Sequence, residues 1–136
     1  MNKILIVEDE SMTAKVVKEA LEMNGIEADI AEDGEKGLNL AKEKDYDLIL
    51  LDLKMPKLSG EEVLKEIRKI RPYTFVIIYT NFTEFTDLKT LANIGIDGYI
   101  NKGPEADLGE LLAMINEKLE PFSVDDIKNM VDEAKL

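Results

Sequence analysis

The sequence contains no cysteine and no histidine among its 136 residues. Without cysteine the chain can form no disulfide, offers no thiolate nucleophile and supplies no cysteine ligand to a metal. Without histidine it has neither imidazole catalysis nor a phosphohistidine of its own. Any chemistry must therefore depend on carboxylates, hydroxyl groups and amines.

Long apolar runs are also missing. The longest lie at residues 4–7, 48–51 and 75–79, whereas a membrane-spanning helix needs roughly 20 apolar residues. The first run is preceded by a single lysine and followed at once by acidic residues, which is unlike a secretory signal peptide. We therefore expect no membrane association and a cytoplasmic location.

Basic residues are few. Seventeen lysines and arginines stand against 29 aspartates and glutamates, so the net charge is −12. A field of this sign repels phosphate backbones and anionic lipid, so direct nucleic-acid binding is not expected. The 45% of hydrophobic residues is typical of a folded chain, and the length predicts a single domain.

Short β-rich runs alternate with stretches in which apolar residues recur every three or four positions. The strand-like runs are residues 3–7, 27–31, 48–51, 75–80 and 98–101. A helix-like stretch follows each of them, the first carrying Val16, Val17, Ala20 and Leu21 on its predicted apolar side. Residues that favour left-handed or fixed-φ geometry fall at the joins, namely Gly25, Gly34, Gly60, Pro72 and Gly95. The pattern predicts five βα units.

The third run, residues 48–51, is apolar at successive positions, which is typical of a parallel strand covered by helices on both faces. Five units are too few for an eight-stranded barrel, so we predict an α/β fold with a doubly wound parallel sheet in the flavodoxin-like order 2-1-3-4-5. One domain is predicted over residues 1–120. Residues 121–136 are predicted to add a helical extension, since Ser123 and Asp126 fit a capping pattern before a helix over residues 124–135.

Polar side chains stand at the carboxyl ends of four predicted strands. Glu8 and Asp9 follow the first strand, Asp52 follows the third, Thr80 ends the fourth and Lys102 follows the fifth. The first and third strands are neighbours in the expected order, so three carboxylates would share one crevice. Like charges this close cannot all stay ionised unless a cation neutralises them, and otherwise at least one carboxyl pKa should rise. An all-oxygen ligand set favours Mg²⁺ or Mn²⁺ over zinc.

These strand ends belong to longer motifs. The segments are 4–10 (ILIVEDE), 31–34 (AEDG), 52–56 (DLKMP) and 98–102 (GYINK), with Gly60 and Thr80 between them. In combination they resemble the response-regulator receiver family of two-component signalling, whose simplest form is the chemotaxis-type single domain. The resemblance covers residues 2–119.

The resemblance implies a phosphoacceptor and a magnesium site. Asp52 would take a phosphoryl group from a histidine kinase or a phosphotransfer protein and form an acyl phosphate. Asp9 and Asp52 would ligate Mg²⁺ directly, while Glu8 would act through a bound water and Lys54 through its backbone carbonyl. The chain would then be a signalling switch and not an enzyme.

The resemblance also implies residues that respond to the phosphoryl group. Lys102 would pair with its oxygens, and Thr80 would move to donate a hydrogen bond to one of them. Tyr99 would turn inward as the switch aromatic once the space beside Thr80 is vacated. A downstream protein would bind the changed surface of the fourth helix, fifth strand and fifth helix. Whether the chain forms a homodimer is left open.

Two other functions share parts of this pattern. A Mg²⁺-dependent phosphohydrolase would use Asp52 as a transient nucleophile, but Lys54 stands where such enzymes carry a second carboxylate. An FMN-binding module would need phosphate-binding amides and hydroxyls in the first βα turn, which here is acidic. We therefore favour the switch and keep the phosphohydrolase as the alternative.

Two departures from the family pattern carry expectations of their own. Lys102 is followed by Gly103 and then Pro104, where the family usually has lysine directly before proline. We expect Lys102 to reach the site because Gly103 can adopt unusual torsions. The extension after residue 120 is too short to be a stable isolated helix, so contact with its own domain or a second copy is favoured over a linker.

A third departure generates a prediction. Asn81 follows Thr80 at a position where the family usually has alanine or glycine. A larger side chain beside the phosphoryl pocket should hinder the attacking water and slow autodephosphorylation. We expect Asn81→Ala to shorten the acyl-phosphate lifetime, measured as decay of the labelled protein after the phosphodonor is removed. An unchanged lifetime would remove this explanation.

Overall fold

The computed structural model describes residues 2–80, 88–102 and 108–119. The strands are β1 (Lys3–Val7), β2 (Glu27–Ala31), β3 (Leu48–Leu51), β4 (Phe75–Thr80) and β5 (Gly98–Asn101). The helices are α1 (Ser11–Met23), α2 (Gly34–Glu43), α3 (Gly60–Ile70), α4 (Leu88–Ile94) and α5 (Leu108–Leu119). This alternation confirms the five βα units. The helix predicted over residues 124–135 lies outside the described residues, so the extension over 121–136 stays a prediction.

The sheet has the order β2-β1-β3-β4-β5, and every neighbouring pair is parallel. This confirms the predicted doubly wound, flavodoxin-like topology. Val7 of β1 is level with Leu51 of β3, so the residues that follow, Glu8 and Asp52, emerge side by side. The Asp52 amide donates to the Val7 carbonyl at 3.0 Å, which ties the two strand ends together.

An apolar cluster lies on each face of the sheet. In β1, Leu5 and Val7 pack with α2, α3 and α4 on one face, whereas Ile4 and Ile6 pack with α1 and α5 on the other. All four residues of β3 are buried in the same alternating way. Covered faces explain why the third run is apolar at successive positions. Within the described ranges, no helix combines the length and the apolar character needed to cross a bilayer.

Helix α1 buries Val17 and Leu21 of the four residues that its spacing predicts, but not Val16. Its buried residues are Ala14, Val17 and Leu21, while Val16 is 50% exposed. The prediction that Val16 contributes to the core side is therefore wrong. Val16 lies about 100° around the helix from Val17 and falls outside the face that Ala14, Val17 and Leu21 bury.

Gly60 brings the first turn of α3 against the end of β3. A Cβ at this position would lie 2.4 Å from the Leu53 Cα and 2.5 Å from the Asp52 carbonyl oxygen. Gly25 and Gly95 have positive φ values of 76° and 120°, but Gly60 does not. Gly34 has no positive φ value either, so the expectation of left-handed or fixed-φ geometry is wrong for Gly34 and Gly60. At Gly60, glycine is required by close approach to the backbone beside Asp52.

This close approach predicts that Gly60→Ala destabilises the protein. The added methyl group meets backbone atoms that cannot rotate away, and overpacking of this kind costs about 1–3 kcal/mol. The free energy of unfolding in urea measures the effect. Lys65→Ala, on the exposed face of the same helix, serves as the control and should change stability by less than about 0.5 kcal/mol. Equal stability of Gly60→Ala and the parent would contradict the steric argument.

Candidate functional site

The carboxylates of Glu8, Asp9 and Asp52 meet where β1 and β3 end. One oxygen from each residue lies within 4.8 Å of the oxygens from the other two. Glu8 and Asp52 are buried, whereas Asp9 is exposed. The structure thus brings together the three acidic residues that strand order places in one crevice, with one of them open to solvent.

Asp52 is held by donors from two different elements. Thr80 Oγ1 donates to Asp52 Oδ1 at 2.8 Å, and the backbone N–H of Lys54 donates to the same oxygen at 3.2 Å. The other oxygen, Oδ2, faces the Lys102 amine at 3.5 Å. Both carboxylate oxygens therefore have fixed partners, which sets the orientation of a side chain that is only 3% exposed.

Lys102 crosses the site from the end of β5. Its Nζ donates to Glu8 Oε1 at 2.6 Å, a shorter distance than the one to Asp52. Its backbone N–H donates to the Thr80 carbonyl at 2.7 Å, so the residue is anchored to β4. The amine is buried among the carboxylates and is not a solvated surface group.

Burial and charge shift the pKa values of this cluster. Burial, then the hydrogen bond and negative charge of Asp52, raise the pKa of Glu8 to about 8, although Lys102 lowers it. Burial by itself would lower the pKa of Lys102, but its hydrogen bond to Glu8 and the charges of Asp52 and Glu8 outweigh burial and raise that pKa. Even when Glu8 holds its proton, the one ammonium group does not neutralise the other two carboxylates, so the site carries excess negative charge.

The donor set fits a hard divalent cation. The side-chain ligands are all carboxylate oxygens, and exposed Asp9 leaves one side of the cluster accessible to solvent. Mg²⁺ typically uses one or two protein carboxylates and keeps several waters, which leaves coordination positions for phosphoryl oxygens. A bound dication would also balance the excess negative charge of the cluster.

The remaining predicted site residues lie around this centre. Tyr99 stands beside Ile78 in the sheet and packs against the apolar cluster that α2, α3 and α4 cover. Lys54 is positioned by its N–H contact with Asp52. The switch role of Tyr99 and the metal-ligand role of the Lys54 carbonyl stay predictions. Asn81 and Gly103 lie outside the described residues.

Tyr79 lies at the site, although the sequence interpretation did not include it. The Lys102 Nζ is 5.3 Å from the centroid of the Tyr79 ring. In the sequence, Tyr79 belongs to the apolar run at residues 75–79. Its position directly before Thr80 could have indicated this, because the side chains of successive strand residues point to opposite faces of the sheet at the same strand end.

Known proteins resemble the chain both in sequence and in fold. The family model for the response regulator receiver domain matches residues 4–116. The uncharacterized transcriptional regulatory protein YkoG of Bacillus subtilis (strain 168) is 42% identical over 116 residues, which are 85% of this chain and 50% of that protein. The chain thus spans about half the length of the curated relatives that it matches.

Two solved structures illustrate the likeness in fold. A CheY-like response regulator receiver domain protein from Methanospirillum hungatei JF-1 has a TM-score of 0.80 at 32% identity, covering 89% of this chain and 95% of that one. The response regulator protein TrrA from Thermotoga maritima, in complex with Mg²⁺ and BeF, has a TM-score of 0.77 at 36% identity, covering 88% and 100%. With its sheet order, its acidic cluster and these matches, the chain belongs to the response regulator receiver domain family.

Proposed function

We propose that the chain is the phosphoacceptor switch of a two-component signalling system, with Asp52 receiving the phosphoryl group from a histidine kinase or a phosphotransfer protein. The proposal rests on the contacts and the burial of the Asp52 carboxylate. Its buried carboxylate contacts Thr80 and Lys102 and lies within the acidic cluster with Glu8 and Asp9. This arrangement combines a nucleophile, two donors and an acidic cluster suited to a cation at one edge of the sheet.

The described residues suit transfer onto Asp52. An Asp52 oxygen would form a bond to phosphorus as the donor's phosphorus–nitrogen bond breaks and the leaving nitrogen keeps the electron pair. Lys102 and Thr80 already contact Asp52. Both donors would therefore lie close to the oxygens of a phosphoryl group attached to Asp52. Phosphoryl transfer needs mainly such positioning and charge stabilisation.

The acidic residues would hold Mg²⁺ in this proposal. Asp9 and Asp52 would bind it directly, Glu8 through a water and Lys54 through its carbonyl. When bound, Mg²⁺ supplies positive charge to the phosphoryl oxygens. Lys102 now donates its shortest hydrogen bond to Glu8, and with a cation beside Glu8 it could turn its charge toward the phosphoryl group.

The output would pass through the surface of α4, β5 and α5. Thr80 would follow the phosphoryl group, and Tyr99 would occupy the space that Thr80 leaves. YkoG is named a transcriptional regulatory protein, but the chain spans about half of that length, and we assign its output only to a downstream protein partner. A homodimer and a cytoplasmic location stay predictions from the sequence.

Stoichiometric labelling tests the proposal. Acetyl phosphate with Mg²⁺ should add one phosphoryl group to the parent, detected by mass measurement of the intact protein, because Asp52 is the buried nucleophile of the cluster. Asp52→Asn should remain unlabelled, since an amide cannot form the acyl phosphate. Asp45→Asn, an equivalent change at an exposed position, is the control and should be labelled like the parent.

The same reaction separates the switch from the phosphohydrolase alternative. A switch stops at one phosphoryl group per chain, whereas a phosphohydrolase turns over many equivalents of a small phosphate ester. Labelling of Asp52→Asn, or catalytic turnover by the parent, would contradict the proposal.

Metal binding gives a second test. Mg²⁺ at a tenfold excess over its dissociation constant should stabilise the folded protein by about 1.4 kcal/mol, measured as a rise in the thermal midpoint relative to EDTA. Asp9→Asn should lose this rise, because it removes one of the three clustered carboxylates. Glu10→Gln is the matched control, since it removes a neighbouring charge outside the cluster. Loss of the Mg²⁺ effect in both variants would indicate only a general charge effect.

A further inference from the structure

The aromatic ring of Tyr79 lies against the ammonium group of Lys102. The distance of 5.3 Å from Nζ to the ring centroid is within the range of about 6 Å in which the negative face of an aromatic ring attracts a cation. Tyr79 is 6% exposed and Lys102 is 5% exposed. Such contacts are strongest where both partners are removed from water, so this pair is a favourable case.

Tyr79 and Thr80 support the site from opposite faces of β4. The Tyr79 side chain belongs to the apolar cluster covered by α1 and α5, while Thr80 donates to Asp52. Tyr79 is level with Ile100 of β5, two residues before Lys102. The ring is therefore carried by the strand next to the one from which the Lys102 side chain emerges.

We propose that Tyr79 is a positioning residue that holds the Lys102 ammonium beside Asp52 through the face of its ring. The inference rests on the proposed function, in which Lys102 contacts the phosphoryl group. A lysine side chain has a flexible four-carbon stem and loses rotamer freedom when it is fixed. Glu8 and Asp52 attract the ammonium group from the carboxylate side, and the ring supports it from the apolar side.

The ring, and not the phenol oxygen, has the stated role. Burial raises the pKa of Tyr79 although the charge of Lys102 lowers it, so the phenol is neutral at pH 7 and the contact is not an ion pair. Phenylalanine would preserve the contact, and leucine would keep an apolar side chain in the cluster without the aromatic face. A tyrosine that only fills the core has no means of acting on Lys102.

The contact itself is tested by NMR on the metal-free parent. A ring face shifts the signals of protons above it upfield, so the Lys102 ε-methylene signals should lie upfield of those of the exposed lysines. Tyr79→Phe should keep this shift and Tyr79→Leu should lose it. Lys102 signals at the ordinary lysine position in the parent would overturn the inference, even if both variants failed to fold.

The consequence is tested by the rate of labelling with acetyl phosphate and Mg²⁺. Tyr79→Leu should slow labelling by about three- to tenfold, as expected for loss of one desolvated cation–π contact. Tyr79→Phe should restore the rate to within about twofold of the parent, because it keeps the ring face. Tyr73→Leu makes the same change at a residue that is 94% exposed and should label at the parental rate.

The outcomes distinguish this inference from the proposed function. A parent that takes no label contradicts the function, whereas labelling of Tyr79→Leu at the parental rate overturns only the role of Tyr79. If Tyr79→Leu does not fold, Tyr79→Met replaces it as the non-aromatic variant. Equal slowing of Tyr79→Phe and the non-aromatic variant would assign the effect to the hydroxyl group and would also overturn the inference.

Discussion

Three carboxyl groups and one ammonium group lie together in a mostly buried volume at the ends of β1 and β3. The acidic groups outnumber the basic one, and the chemistry of the site depends on this excess. Water weakens repulsion between charges, but burial limits its access to Glu8 and Asp52, and only Asp9 is exposed. Lys102 offsets part of the negative charge, while burial and then Asp52 raise the pKa of Glu8. A site with this imbalance has a chemical reason to bind a dication and, with it, a phosphoryl group.

The sheet maintains this arrangement because its parallel strands end level. Backbone hydrogen bonds fix Asp52 beside the end of β1 and fix Lys102 beside the end of β4. Gly60 lets α3 begin directly against the residue after Asp52. The backbones of Glu8 and Asp52 are therefore held close together, and a bound cation would offset the charge of their carboxylates.

Much of the fold could be predicted from local patterns. Strand and helix alternation, the buried third strand and the polar strand ends all follow from residue type and spacing, and the structure confirms the strand order. Val16 was misassigned because helical spacing gives a periodicity but does not say which neighbouring residue faces the sheet. Gly60 was interpreted through its torsional freedom, whereas its role depends on atoms that only packing brings close.

The sequence by itself determined which chemical groups are available: carboxylates, hydroxyls and amines, without thiol or imidazole. It also determined that five polar residues stand at strand ends, since a strand boundary is a local property. Only the tertiary structure decided how they pair, with Lys102 closer to Glu8 than to Asp52 and with the Tyr79 ring against its ammonium group. Those distances depend on side-chain directions across different strands, which no local pattern along the chain encodes.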